Sequence, residues 1–188
     1  MSLSKRSDFK ELIEGCKRGS RKSQQVVYEY LYSTMLNVCA RYFSDIEEAK
    51  DVLQEAFIKV FLNMKRYNGE GSFEGWVRRI VVNLAIDTLR KQRQKFISLD
   101  SQTYEWLGEE DSNEEIEWNH TLMKEGKRVL EAVQNLTPAY RATFNLYVIE
   151  GYSHQEIADM LGVSVGTSKS NLAKAKMNLR KKLGQLQV

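Results

Sequence analysis

Proline occurs once in this 188-residue sequence, at Pro138, and no stretch alternates Val, Ile or Thr with polar residues. A chain with so few helix breakers and no period-two pattern is expected to be almost entirely helical. No run approaches the ~18 apolar residues of a membrane-spanning helix. The N-terminal MSLSKRSDFK has no apolar signal core, so a cytoplasmic protein is expected. Cys16 and Cys39 sit among apolar neighbours at helical spacing and read as buried free thiols rather than as a redox or metal pair. His120 and His154 are the only histidines, too few and too isolated for a zinc site. A glycine-rich phosphate loop and a nucleophile–base pair are also missing. The expectation is a protein that is not an enzyme, with no cofactor, no metal and no small-molecule substrate.

Charge of one sign is missing from two stretches. Residues 98–117, SLDSQTYEWLGEEDSNEEIE, hold eight acidic side chains and no basic one. The rest of the chain keeps 17 acidic residues against 28 basic ones, a surplus of about eleven positive charges that favours a polyanionic partner. The acidic stretch reads as a linker, interrupted by Trp106, Leu107, Ile116 and Trp118, and it marks the domain boundary. We expect an all-α protein with two small helical domains, residues 1–95 and 120–188, joined by an acidic linker over 96–119.

The second stretch of one sign lies near the C-terminus, where no acidic residue follows Asp159. Ser153 and Glu156 have the spacing of a capping box. Ile157, Ala158 and Leu161 give the helix that follows an apolar face, and Gly162 sits where a C-cap glycine would end it. After the turn at Val163, with Ser164 able to cap, Leu172, Ala175, Leu179 and Leu183 recur at helical spacing among Lys169, Lys174, Lys176, Arg180, Lys181 and Lys182. Two short helices with small residues at Ala158 and Gly162, the second one basic, form a helix-turn-helix suited to the DNA major groove. A solvated Lys-rich surface is the alternative reading of the basic helix alone.

Upstream, four helices are expected: Asp8 to Gly19, Ser23 to about Phe43, Glu47 to Met64, and Ser72 to about Arg93. In the fourth, Phe73, Trp76, Val77, Ile80, Val81 and Leu84 fall at spacings 0, 3, 4, 7, 8 and 11, a core stripe. Downstream, one helix is expected from about His120 to Leu136. Another, capped by Thr137 with Pro138 in its first turn, is expected to run to about Glu150. Two stripes are left unexplained by core packing. Asp51, Glu55, Ile58 and Leu62 line the third helix away from its core side, an acidic row running into apolar residues, as a helix-docking surface would. Arg79, Asn83, Ile86 and Arg90 align on the fourth helix, a basic row whose Asn can hydrogen-bond a base edge. The intervening basic turn carries Tyr67 and Phe73, aromatics able to stack an unpaired base; for Tyr67, packing over a helix end is the competing reading.

The segment DVLQEAFIKVFLNMKRYNGEGSFEGWVRRIVVNLAIDTLRK resembles the second conserved region of the sigma-70 family of transcription initiation factors. The segment LTPAYRATFNLYVIEGYSHQEIADMLGVSVGTSKSNLAKAKMNLRKKL resembles its fourth region. With these two regions and a short linker, the chain is similar to the extracytoplasmic-function group. The resemblance implies core RNA polymerase as partner, bound through the largest subunit's clamp helices and the flap region. It also implies promoter DNA and, as is usual for the group, an anti-sigma factor. Asp51, Gln54 and Glu55, with Ile58 and Leu62 beside them, would dock on the clamp helices. Lys59, Asn63, Tyr67 and Asn83 match positions that capture a flipped base of the −10 element, and the loop from Asn68 to Phe73 matches the loop that tunes that preference. Phe73, Arg79 and Arg90 join this −10 set from the residue reading above. Thr167, Lys169, Ser170, Asn171 and Lys174 match positions facing the −35 element. Ser168 stands where the family often has Val, and Asn171, Lys174 and Lys176 where it often has Arg. Lysine supplies a point charge rather than a bidentate fork, which favours phosphate anchoring over guanine reading.

The function expected is that of a sigma factor, directing core polymerase to promoters by −35 duplex recognition and by −10 recognition with strand opening. The main alternative is a helix-turn-helix regulator acting without polymerase, which would need neither the Asp51 stripe nor the Tyr67 loop. An enzyme with a DNA-binding tail would need an active site that the sequence does not offer.

Overall fold

A computed structural model describes residues 7–99 and 121–184, the side chains of 93–99 and 121–125 excepted. Residues 100–120, which hold most of the expected linker and His120, lie outside the described residues, while 96–99 continue the fourth helix past its expected end near Arg93. Within them, every regular element is helical. Contacts divide the chain into two compact units, one comprising Met1–Ala40 with Asp45–Thr88, the other Arg41–Ser44 with Leu89–Val188.

In the first unit, α1 (Phe9–Lys17) buries Leu12, Ile13 and Cys16. Gly15 lies so close to α2 that a Cβ there would come 2.8 Å from Ser23 Cβ, which is why no larger residue fits. Ser20 caps α2 (Arg21–Cys39), accepting from Ser23 N at 3.4 Å. Asp45 caps α3 (Ile46–Leu62), accepting from Glu47 N at 2.8 Å. The buried side of α3 is Ala49, Val52, Leu53, Ala56, Phe57 and Val60. A 3-10 turn at Met64–Arg66 follows, ending the α-helix two residues before the expected Met64. The loop beyond turns on Gly69 and Gly71, both at positive φ, and Ser72 Oγ then accepts from Gly75 N at 3.0 Å to start α4 (Phe73–Leu99). Burial of α4 is wider than the expected stripe: Val82, Ala85 and Ile86 are covered along with Phe73, Val77, Val81 and Leu84.

In the second unit, α5 (Thr121–Gln134) leads to α6 (Pro138–Phe144). Thr137 holds the N-cap position, but its side chain makes no cap bond. The expected single helix to Glu150 changes pitch: Asn145–Ile149 form a π-helical turn, with Glu150 N donating to Asn145 O at 3.0 Å. The capping box at Ser153 and Glu156 is complete and starts α7 (His154–Leu161). Gly162 closes α7 at φ +64°, where a side chain would be strained. Ser164 Oγ accepts from Thr167 N at 3.0 Å at the head of α8 (Val165–Gly184). The core joins Ala132, Val133 and Leu136 to Ala175 and Leu179 of α8, with Tyr140, Phe144 and Leu183 packed against it.

Candidate nucleic-acid and protein interfaces

Three surfaces gather the residues singled out above. On α3, Asp51, Gln54 and Glu55 are all exposed, and the row ends in Ile58 and Leu62, which are 54% and 78% exposed. Exposure of two large aliphatic side chains one helical turn apart is unusual for an unpartnered face. Ile58 also lines a cleft of about 340 Å³ with Phe57, Phe61 and Gln54 of α3 and Gln24, Gln25 and Tyr28 of α2. Those α2 residues drew no attention in the sequence, since the pairing of two helices is not written in the periodicity of either.

The second surface surrounds the turn between α3 and α4. Lys59 and Asn63 are partly exposed, and Asn63 Nδ2 donates to Lys59 O at 2.8 Å, closing the end of α3. Tyr67 is only 7% exposed. Its ring packs edge-on to Phe73 at 5.1 Å and lies 5.5 Å from Trp76, and its hydroxyl donates to Gly71 O at 3.3 Å. Burial raises its pKa above the ordinary tyrosine value, reinforced by Glu74 and opposed by Lys17. Phe73 is fully buried, braced by Phe9 at 6.0 Å. It forms the floor under Tyr67 rather than part of the surface. Arg79, Asn83 and Arg90 are exposed along α4, but Ile86 is 2% exposed, so the row is broken there. The broader burial of α4 is the reason.

The third surface is the outer side of α8. Its buried side consists of Ser168, Leu172, Ala175 and Leu179. Thr167, Lys169, Ser170 and Lys174 are exposed and Asn171 partly so. At ~100° per residue these five do not share one face. Lys169 falls on one flank with Lys176 and Arg180, Lys174 on the other, and Ser170 between them on the outermost line with Met177. Two basic flanks around a slender outer face suit a helix lying between the phosphate rims of a groove. Lys174 and Lys176 are steadied by aromatic rings, each ammonium lying 5.8 Å from a ring centroid, of Tyr140 and Tyr147 respectively. Below them, Phe144, Leu179 and Leu183 floor a cleft of about 420 Å³ edged by Lys176 and Arg180.

Among the described residues no group of three or more His, Cys, Asp or Glu could hold a metal ion, and no helix is long and apolar enough to cross a membrane.

Comparison with known proteins matches these units to one family. Residues 27–95 match Sigma-70 region 2, and residues 126–179 match Sigma-70 region 4. The extracytoplasmic-function (ECF) RNA polymerase sigma factor SigE of Mycolicibacterium smegmatis is 35% identical over 133 residues, covering 71% of this chain and 51% of that protein. The ECF sigma factor SigW of Bacillus subtilis is 26% identical over 191 residues, covering 95% of this chain and 98% of that one. The chain therefore spans about half the length of the first relative and nearly all of the second. In fold it is similar to the sigma factor RpoE of Bartonella quintana, solved with the anti-sigma factor NepR, at a TM-score of 0.54 and 17% identity over 85% of this chain and 96% of that one. The chain belongs to the sigma-70 family, in its extracytoplasmic-function group. It acts with core RNA polymerase in transcription initiation, and the reading as a regulator independent of polymerase falls away.

Proposed function

We propose that the two units divide promoter recognition between them, within domains bounded near residues 95 and 120. In the first, Asp51, Gln54, Glu55, Ile58 and Leu62 dock on the polymerase clamp helices, while Lys59, Asn63, Tyr67, Arg79, Asn83 and Arg90 serve the −10 strand. In the second, Thr167, Lys169, Ser170, Asn171 and Lys174 of α8 face the −35 duplex, and the cleft edged by Lys176 and Arg180 receives the flap. The chain itself carries out no catalysis, works in the cytoplasm, and is regulated by an anti-sigma factor, the kind of protein with which the Bartonella relative was solved.

The observation that carries this reading is the exposed passage from Asp51 to Leu62. A DNA-binding module alone has no use for it. Energetics favour the same conclusion. Opening roughly ten base pairs forfeits about 14 kcal/mol of stacking, whereas each captured base returns only ~1–3 kcal/mol. The polymerase must supply the difference. Capture by Tyr67 requires its buried ring to turn outward from Phe73 and Trp76, with release of the Gly71 bond. Phe73, wholly covered, serves as its support.

Reversing charge at Asp51 and Glu55 together tests the docking face. The expected result is loss of co-purification with core polymerase and of promoter-dependent transcription in vitro. Unchanged co-purification would overturn the assignment.

A further inference from the structure

A polar side chain is buried in the first turn of the recognition helix. Ser168 is 0% exposed and sits on the inner side of α8, flanked in sequence by Thr167, Lys169 and Ser170. A buried hydroxyl needs a partner. Its partner is on the other helix of the motif: His154 Nδ1 lies 2.9 Å from Ser168 Oγ, either group donating according to the imidazole tautomer. His154 is the first residue of α7, and its ring is stacked on Tyr147 of the π-helical turn, centroids 4.5 Å apart at 25°. Lys176, two turns beyond Ser168 on α8, places its ammonium 5.8 Å from the centroid of the same Tyr147 ring. One stacked pair thus touches α8 at two heights.

We propose that His154 is a positioning residue for −35 recognition, setting the rotation and height of α8 against α7 through Ser168 and Tyr147. This rests on the reading of α8 as the −35 helix. Apolar packing by Leu172, Ala175 and Leu179 holds the helix against its domain, but such contacts are non-directional and tolerate small rotations. A hydrogen bond fails within a few tenths of an ångström and a few tens of degrees. The bond falls beside the reader residues, where a small rotation displaces Ser170 and Asn171 from base edges. Phosphate contacts through long, flexible lysines survive the same displacement. His154 therefore governs discrimination between sequences more than affinity for DNA.

The test uses the full chain bound to core polymerase and a duplex that the wild type selects from a randomised pool, compared with single-base variants of its −35 segment. His154→Phe keeps a ring for the stack and leaves the Ser168 hydroxyl unpaired. His154→Asn keeps a polar atom at the Nδ1 position and gives up the stack. His154→Phe with Ser168→Val replaces both partners by apolar groups, which keeps the fold testable. We expect His154→Phe to reduce discrimination between the selected and variant duplexes about tenfold, with the salt slope unaltered, and His154→Asn to recover part of it. The double variant is expected to fold as the wild type and stay poorly discriminating. A merely structural role would lower binding to every duplex in proportion, and an unchanged discrimination ratio in His154→Phe and in the double variant overturns the inference. Lys169→Ala with Lys174→Ala separates the levels. If that pair matters and His154 does not, the positioning role alone fails; if neither matters, the −35 reading fails and takes this inference with it.

Discussion

Lys59 Nζ lies 3.3 Å from Glu55 Oε1, one turn apart on α3, so a residue assigned to DNA is ion-paired with one assigned to polymerase. Both side chains are near half-exposed, and such i,i+4 pairs contribute only about 0.3–0.5 kcal/mol. Glu55→Gln should therefore leave the melting temperature within a degree or two while weakening association with core polymerase. Calorimetry beside a pull-down reads the two separately, and a large thermal shift with unaltered association would contradict the assignment.

Tyr67 separates packing from chemistry. Tyr67→Phe removes the 3.3 Å bond to Gly71 O and keeps the ring between Phe73 and Trp76. The expected cost is about 1 kcal/mol, with open-complex formation, followed by permanganate reactivity of unpaired thymines, largely retained. Tyr67→Ala should impair opening more than closed-complex binding, and equal losses in both would refute base capture. The raised tyrosine value adds a pH dependence. A group titrating higher in the folded state contributes stability that is complete below its ordinary value of 10 and lost as pH rises above it. An alkaline melting series should show a smaller loss in Tyr67→Phe than in the wild type, the remainder coming from Tyr28 and Cys16, whose pKa values burial also raises.

The capping box of α7 predicts the opposite sign. Glu156 accepts from the Ser153 backbone N–H and from the Ser153 hydroxyl, both at 2.8 Å, and these bonds hold its carboxyl below its ordinary 4.5. A lowered carboxylate stabilises the fold above that ordinary value, and the contribution disappears as pH falls through the lower, folded one. Glu156→Gln should thus flatten acid unfolding of the second unit, detectable by hydrogen exchange at α7, and have its largest effect near neutrality.

Burial pushes the Cys16 thiol up to about 11. At pH 8 iodoacetamide should leave it unmodified in the folded chain and alkylate it after denaturation, as peptide mapping reads separately from the second free thiol, Cys39. Rapid labelling of the native protein would mean that α1 detaches.

Helix content, the α3 stripe and the capping box at Ser153 were legible because each is a local pattern. Periodicity counts apolar positions on one helix, and a capping box spans four residues. Other features depend on what covers a helix. Ile86 looks like a member of an exposed row until the width of burial around α4 is known. Tyr67 has the same sequence surroundings whether it lies under Gly71 or above it. The Ser168–His154 bond joins positions 14 apart across a turn, and neither residue type announces it. The π-helical turn at Asn145–Ile149 likewise has no signature in composition.

The bare Ile58 and Leu62 carry a thermal consequence. Water ordered over such side chains is released when a partner covers them, and that release gives a negative heat capacity of association and weakens as temperature falls. If these two residues anchor the complex with polymerase, the hold between the two loosens on cooling without any change in the abundance of either.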